Sequence, residues 1–200
     1  MKNNEIVWRT ISDAALQGHR RWEGLSALSK ASGVPRSTVQ QAMTRLAETG
    51  IARQEAGGGF TVVQHGKLLD LVAAHRNLSR DVLARTTIDA ANELIARRPA
   101  RYFIGGPNAA IHHLGGRNTV ATPGLRIIYT LDDEIPSLPP SDEALIVRID
   151  PAAGEQWRDG FASPTQTYAD LWNTPGWQSV EFTRALRDSL VHDPAGGGDV

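Results

Sequence analysis

Between Leu25 and Val63 two short amphipathic segments are each closed by a glycine, and two apolar runs around a Gly-Gly-Gly tip follow them. No other stretch restricts the fold as tightly. In LSALSKASGV, Leu25, Leu28 and Ala31 recur at helical spacing and Val34 seals the turn. In PRSTVQQAMTRLAETG, Val39, Met43 and Leu46 continue at four and three residues, so one buried stripe runs through both segments. Gly33 suits the positive-φ residue that ends a helix, and Pro35, lacking an amide hydrogen, fits the first turn of the next. Gly50 closes that second helix. Ile51 and Ala52 then lead into one strand, Phe60, Val62 and Val63 form another, and the chain turns on Gly57 to Gly59. Helix, sharp turn, helix and hairpin in this order make a winged helix-turn-helix.

That order predicts double-stranded DNA as the ligand. The outward face of the second helix carries Arg36, Ser37, Thr38, Gln40, Gln41, Thr44 and Arg45, none of which the core needs. Such a mixture can meet both phosphates and base edges in a major groove. Arg53, Gln54 and Thr61 of the wing can reach the adjacent backbone. The competing reading is a winged fold used only for protein contacts.

Charge divides the chain. Residues 1–65 hold 8 Lys+Arg against 5 Asp+Glu, while residues 66–200 hold 13 against 17. A small positive excess suits a module that binds as a homodimer, because one copy neutralises few phosphates and binds weakly at physiological salt. Length and composition suit two small domains, with a winged domain over 1–65, bridging helices and a partner or effector domain over 66–193, and a disordered tail over 194–200. The absence of cysteine excludes a disulfide framework and thiolate zinc sites, and no long apolar run or signal-like N-terminus stands out. A cytoplasmic bacterial regulator without membrane association is expected.

Ile6, Val7, Ile11, Ala14, Ala15 and Leu16 predict a first helix packing across the other two, with Trp8 and Trp22 closing core edges. His19, Arg20 and Arg21 form a small basic cluster, readable as a solvated loop or as a contact to the DNA backbone. From Lys67 to Arg98, the apolar residues Leu68, Leu69, Leu71, Val72, Val82, Leu83, Ile88, Ala91, Leu94 and Ile95 predict two bridging helices. RYFIGG, GLRIIYTL and ALIVRID then read as strands and PNAAIHHLGG as a helix, which makes the fold class α+β with an α/β-like second half. In SPTQTYADLW, Ser163 at N-cap, Pro164 at the first helical position and Gln166 predict a capping box. SVEFTRALRDSLV predicts a last helix with Val180, Phe182, Leu186 and Leu190 inward.

Taken together, the winged segment, LLDLVAAHRN, YFIGGPNAAIHHLG and SPTQTYADLW resemble the AbiEi-type antitoxins of bacterial abortive-infection, type IV toxin-antitoxin systems, over about Ile6 to Leu190. The resemblance implies a winged domain that binds inverted repeats in its own promoter and represses the operon. It also implies a C-terminal domain that acts against a nucleotidyltransferase-like toxin protein. Carried over, DNA contact falls on the Arg36 to Arg45 face and protein work on residues 66–193. Antitoxicity through protein contact, with DNA binding only autoregulatory, is the alternative that the resemblance raises.

IGGPNAAIHHLGGRNT also resembles the opening of the nucleotidyltransferase fold, with Gly105, Gly106, Arg117 and Thr119 at matching positions and forming a candidate partner or ligand site. The two carboxylates that would hold magnesium are missing, because Val120, Ala121, Thr122 and Pro123 stand in their place. Nucleotidyl transfer is therefore the weakest alternative, and neither catalytic residues, metal nor cofactor is expected. His112 and His113, adjacent on a helix, point about 100° apart and cannot share one metal. Asp132, Asp133 and Glu134 read as a solvated acidic loop or a site for a basic partner. Trp157, Trp172 and Trp177 read as core or rim aromatics, and as a protein interface if they gather at the surface.

Overall fold

A computed structural model describes residues 1–118, 124–157 and 159–192. The first helix, α1 (Asn3–Leu16), starts where the Glu5 carboxylate accepts a hydrogen bond from the Lys2 backbone N–H at 3.0 Å. It buries Val7 and Ile11 completely. Next come α2 (Leu25–Ser32) and α3 (Arg36–Glu48), both packed on α1. Gly33 sits at φ 66° as the left-handed cap of α2, as its position demands. Pro35 lies one place earlier than expected, as the N-cap of α3, and its carbonyl accepts from Thr38 and Val39. At the far end Gly50 N–H bonds to Ala47 O at 3.0 Å and Ile51 N–H to Leu46 O at 2.8 Å, a Schellman closure.

The wing is a three-stranded antiparallel sheet in the order β1-β3-β2, built from β1 (Arg21–Trp22), β2 (Ala52–Gln54) and β3 (Phe60–Val62). The basic cluster before α2 is thus partly a strand: Arg21 pairs with Thr61, Trp22 pairs with Phe60, and Val62 N–H reaches Arg20 O at 2.9 Å. Two of the three tip glycines have separate duties. Gly58 turns at φ 83°, while a Cβ on Gly59 would lie 2.6 Å from the Trp22 carbonyl oxygen, so β1 approaches β3 only over a bare backbone.

After the wing, the expected pair of bridging helices is replaced by α4 (His65–His75), a 3-10 turn over Leu78–Arg80, the strand β4 (Val82–Thr86) and α5 (Ile88–Arg97). Val82 and Leu83 therefore belong to a sheet, and Ile88 is exposed at the start of α5. β5 (Tyr102–Gly105), α6 (Gly106–His113), β6 (Arg126–Thr130) and β7 (Ala144–Arg148) follow. The second sheet has the order β4-β7-β6-β5, with β6 and β7 parallel and both outer pairs antiparallel. Strand alternation sends Phe103, Ile127, Tyr129, Leu145 and Val147 to one face and Tyr102, Ile128, Ala144 and Ile146 to the other, where Ala91 and Leu94 of α5 cover them. Phe161 bridges to Ile104, and the flanking segment takes up the free backbone groups of β5.

The remaining helices are α7 (Pro151–Gln156), α8 (Pro164–Trp172) and α9 (Trp177–His192). Ser163 caps α8 through the Gln166 backbone N–H at 3.3 Å, but the Gln166 side chain does not complete a capping box, being drawn inward to Tyr129 and Asp170. On α9, Phe182 and Leu186 are fully buried, Leu190 is partly so, and Val180 points outward rather than inward. One hydrophobic cluster runs from Val7, Leu28 and Leu46 through Leu68, Leu69 and Val72 of α4 to Tyr168, Phe182 and Leu186. Each fully buried leucine there contributes about 1.5 to 3 kcal/mol, so the winged head is welded to the helices behind it.

A polar seam runs through the same interior. Arg9, almost wholly shielded, donates to Asp150 Oδ2 at 2.6 Å and Oδ1 at 3.0 Å and to Gln166 Oε1 at 3.3 Å. Gln166 donates to Tyr129 Oη and Asp170 Oδ1, both at 3.1 Å, and Tyr129 donates to Asp170. Arg76 closes the chain on Asp170 at 2.9 Å and on Asp81. Every charge in it has a partner, the condition under which buried ions are tolerated.

Candidate nucleic-acid interface

The recognition surface rests on the buried side of α3. Val39, Ala42, Met43 and Leu46 face α1 and α2, which forces the intervening positions outward. Arg36, Ser37, Gln40, Gln41, Thr44 and Arg45 are exposed together on α3, and Thr38, half-buried, sits at the margin. Trp8 on α1 pins the helix by donating its indole N–H to Ala42 O at 3.1 Å.

These side chains differ in readiness. Among the described residues Arg36 makes no ion pair, while Arg45 meets only Glu48, at 3.7 Å with both partners exposed, a contact worth little against a phosphate. Thr44 spends its hydroxyl proton on Gln40 O at 3.0 Å, so it offers a methyl group and an acceptor outward. Among the described residues no side-chain hydrogen bond engages the amides of Gln40 and Gln41, the groups that pair bidentately with adenine.

In the wing, Arg53 and Gln54 are exposed on β2 and Thr61 is half-buried on β3 opposite Arg53. Arg53 donates to Glu55 Oε1 at 3.4 Å. The Glu55 carboxyl is held below its usual range, first by Thr61 and then by Arg53 and Arg21, so the wing carries its own competitor for phosphate. The third strand adds a cation beside this set, since Arg21 lies opposite Thr61. The sequence reads His19, Arg20 and Arg21 as a solvated loop or a backbone contact, and its local pattern does not show the strand.

The other candidate residues separate. Gly105 and Gly106 are buried against β6: a Cβ on Gly105 would lie 2.8 Å from Tyr129 Cε2, and one on Gly106 3.1 Å from Ile127. The glycine pair thus serves close packing of β5 and α6 on β6. Arg117 is exposed and donates to Leu114 O at 3.2 Å, away from the buried pair. Thr119, the positions 120–123 and the tail 194–200 lie outside the described residues.

His113 bonds to Ala162 O at 2.8 Å and His112 stacks on Phe161, and among the described residues no group of three acidic or histidine side chains could hold a metal. Asp132 is not a solvated loop residue: it is largely buried and accepts from Arg98 at 3.2 Å and Arg101 at 2.8 Å. Asp132 therefore has its basic partners within the chain, whereas Asp133 and Glu134 are exposed as a solvated run would be, with Arg148 3.3 Å from Asp133. Trp157 is buried, whereas Trp172 and Trp177 are 50% and 61% exposed at the α8–α9 corner, with Val180 beside them in sequence at 63%.

A helix-turn-helix whose second helix leaves its polar face uncovered, flanked by a cationic wing, defines a DNA-binding module of the kind that transcription regulators carry. A family model described as the IclR helix-turn-helix domain matches residues 14–56, from the end of α1 to the turn of the wing. No curated protein and no solved structure matches the chain. Among the described residues no helix is long and apolar enough to cross a membrane.

Proposed function

We propose that the chain is a sequence-specific, homodimeric, cytoplasmic repressor that acts on an inverted repeat upstream of its own gene and has an antitoxin-like role. The supporting observation is the uncovered row of Arg36, Gln40, Gln41, Thr44 and Arg45 on α3 beside Arg53 of the wing. The small positive excess of residues 1–65 argues for two copies acting together. An electrophoretic shift of the upstream DNA by the full chain tests it. The expected result is a retarded band resistant to competitor DNA and a footprint with two half-sites about one helical turn, or a multiple of it, apart. A chain that shifts every sequence equally, or none, overturns the reading.

The exposed Trp172, Trp177 and Val180 favour a second reading, in which the chain acts mainly by contact with a nucleotidyltransferase-like toxin, since tryptophan is enriched where proteins bind. Co-purification with such a protein encoded by a neighbouring reading frame, lost on Trp172→Ser with Trp177→Ser, tests this. The chain itself transfers no nucleotide in our reading: no acidic pair stands at 120–123, and Asp132 is engaged by Arg98 and Arg101. Labelling of protein or RNA from a radiolabelled nucleotide with magnesium, abolished by Asp132→Ala, would overturn that.

A further inference from the structure

Helix α9 divides between two sides. Ser179, Phe182 and Leu186 are buried, where the helix packs on α4, α6 and α8. At about 100° per residue, Trp177, Val180, Glu181, Arg184, Asp188 and Val191 fall within an arc of about 100° on the other side, and all six are exposed. Trp172 stands half-exposed at the same α8–α9 corner, its ring tilted against Tyr168 at 5.8 Å. A covered tryptophan buries about 150 to 250 Å², so two left open at one corner forgo a large apolar gain. Exposed apolar side chains that are gathered rather than scattered mark a surface that binds protein.

The charges on this face identify what covers it. Among the described residues no ion pair engages Glu181, Arg184 or Asp188, whereas Arg187, at the margin of the arc, is spent on Asp70 at 2.7 Å. Their order along the helix is self-complementary. When two copies of α9 lie antiparallel about a twofold axis level with Phe182 and Thr183, Glu181 comes level with the partner's Arg184, and Arg184 with the partner's Glu181. Trp177 then comes level with the partner's Asp188, a carboxylate able to accept the indole N–H. An axis level with Arg184 would instead set arginine against arginine, and like charges placed together are costly. The charges therefore select one register, and twofold symmetry repeats each contact. The winged head makes an independent demand for a second copy, since its 8 Lys+Arg against 5 Asp+Glu give one copy little hold on phosphates.

We infer that the outer face of α9, with the Trp172 corner, is where a second copy of this chain docks antiparallel, Glu181 and Arg184 pairing across the twofold axis beside Trp177 and Val180. The inference rests on the homodimeric reading above and gives that dimer its surface. It assigns the exposed tryptophans to self-association rather than to a toxin.

The test is light scattering of the full chain over a concentration series, free and on the upstream DNA, for the unaltered protein, Glu181→Arg and Arg184→Glu. Both side chains are exposed, so the two variants should melt like the unaltered protein. A dimer free of DNA is expected for the unaltered chain, with dissociation raised at least tenfold in each variant. Mixing the two variants should restore a dimer containing one copy of each, because both cross-axis pairs are then again of opposite sign. That recovery separates a second copy from any other partner. An unaltered chain that is monomeric both free and on DNA overturns the homodimeric reading and the inference with it. Two copies on DNA but a monomer in solution, a dimer indifferent to both variants, or a mixture that fails to re-form overturns the inference alone.

Discussion

Trp8 of α1 donates its indole N–H to the carbonyl oxygen of Ala42 in the middle of α3, 3.1 Å away, while its ring meets His75 of α4 edge-on at 5.2 Å. One side chain thus joins the recognition helix, the helix beneath it and the first helix after the wing. Residues 14–56 alone omit this tie, which begins six residues before them.

Trp8→Phe removes the hydrogen bond and part of the packing. Ala42 lies within α3, so its carbonyl keeps a helical partner and is not orphaned. The expected cost is therefore about 1 to 2 kcal/mol, the worth of one net hydrogen bond plus lost contact. Urea melts should show a lower midpoint at unchanged slope. An unaltered midpoint would mean that α3 is seated by the apolar stripe alone.

The exposed face of α3 and the wing make separable contributions to DNA binding. Arg36→Ala or Gln41→Ala should weaken specific binding by about 1 to 3 kcal/mol and relax sequence preference at one position, with stability unchanged. Arg53→Ala should weaken all sequences alike and reduce the salt slope by about one. Glu55→Gln should act in the opposite sense, since it frees Arg53 and removes a negative charge from the wing. Binding isotherms at several salt concentrations check all four; equal affinities throughout would remove the surface from consideration.

The head was legible because its signals are local. Gly33 and Gly50 must occupy positive φ, and that requirement lies within a few residues of the helices they end. Strand β1 was not legible, because Arg21 and Trp22 are defined by Thr61 and Phe60 some forty positions later. In β4 the apolar residues of VLART fit a helical rhythm as well as a strand, and only pairing with β7, broken by an irregularity between Val82 and Ala84, decides between them. Asp132 read as solvated because neither Arg98 nor Arg101 is near it in sequence. The polar seam had no signal at all: Arg9 and Asp150 are 141 residues apart, and Arg76 and Asp170 are 94. For the candidate DNA surface, the polar residues of α3 were identifiable once the buried stripe was known.

Within that seam, Asp170 is fully buried and accepts from Arg76, Tyr129 and Gln166. Asp170→Leu leaves the Arg76 guanidinium with Asp81 alone and strands two further donors, so a loss of about 3 to 5 kcal/mol is expected. Pairing it with Arg76→Met and Tyr129→Phe removes the guanidinium and the phenol and leaves only the Gln166 amide N–H without its acceptors, so it should recover part of the loss, because burying no charge is often as favourable as burying a matched pair. Chemical denaturation of the single and triple variants checks this, and a triple variant less stable than the single one would show that the seam does more than neutralise itself.

Acid stability should divide Asp150 from Asp13. For Asp150, burial alone would raise the carboxyl, but the charge and hydrogen bonds of Arg9 outweigh it and hold the group below its ordinary 3.8. A folded value below the unfolded one means that its stabilisation is complete above that ordinary value and is lost as pH falls through the folded one. For Asp13, burial raises the carboxyl and Arg9, Thr165 and Ser163 only partly offset it. The sign is then reversed: the charged group costs stability at neutral pH, and the cost is relieved as pH falls through the raised value. Asp150→Asn should therefore lower the stability at pH 7, by about 3 kcal/mol for a buried pair broken at one end, and its difference from the unaltered protein should close in acid. Asp13→Asn should raise the midpoint at pH 7, and that gain should vanish below the ordinary carboxylate range. Urea melts at intervals from about pH 7 to pH 3 record both trends, and variants that move the same way at neutral pH would show that Arg9 does not discriminate between the two carboxylates.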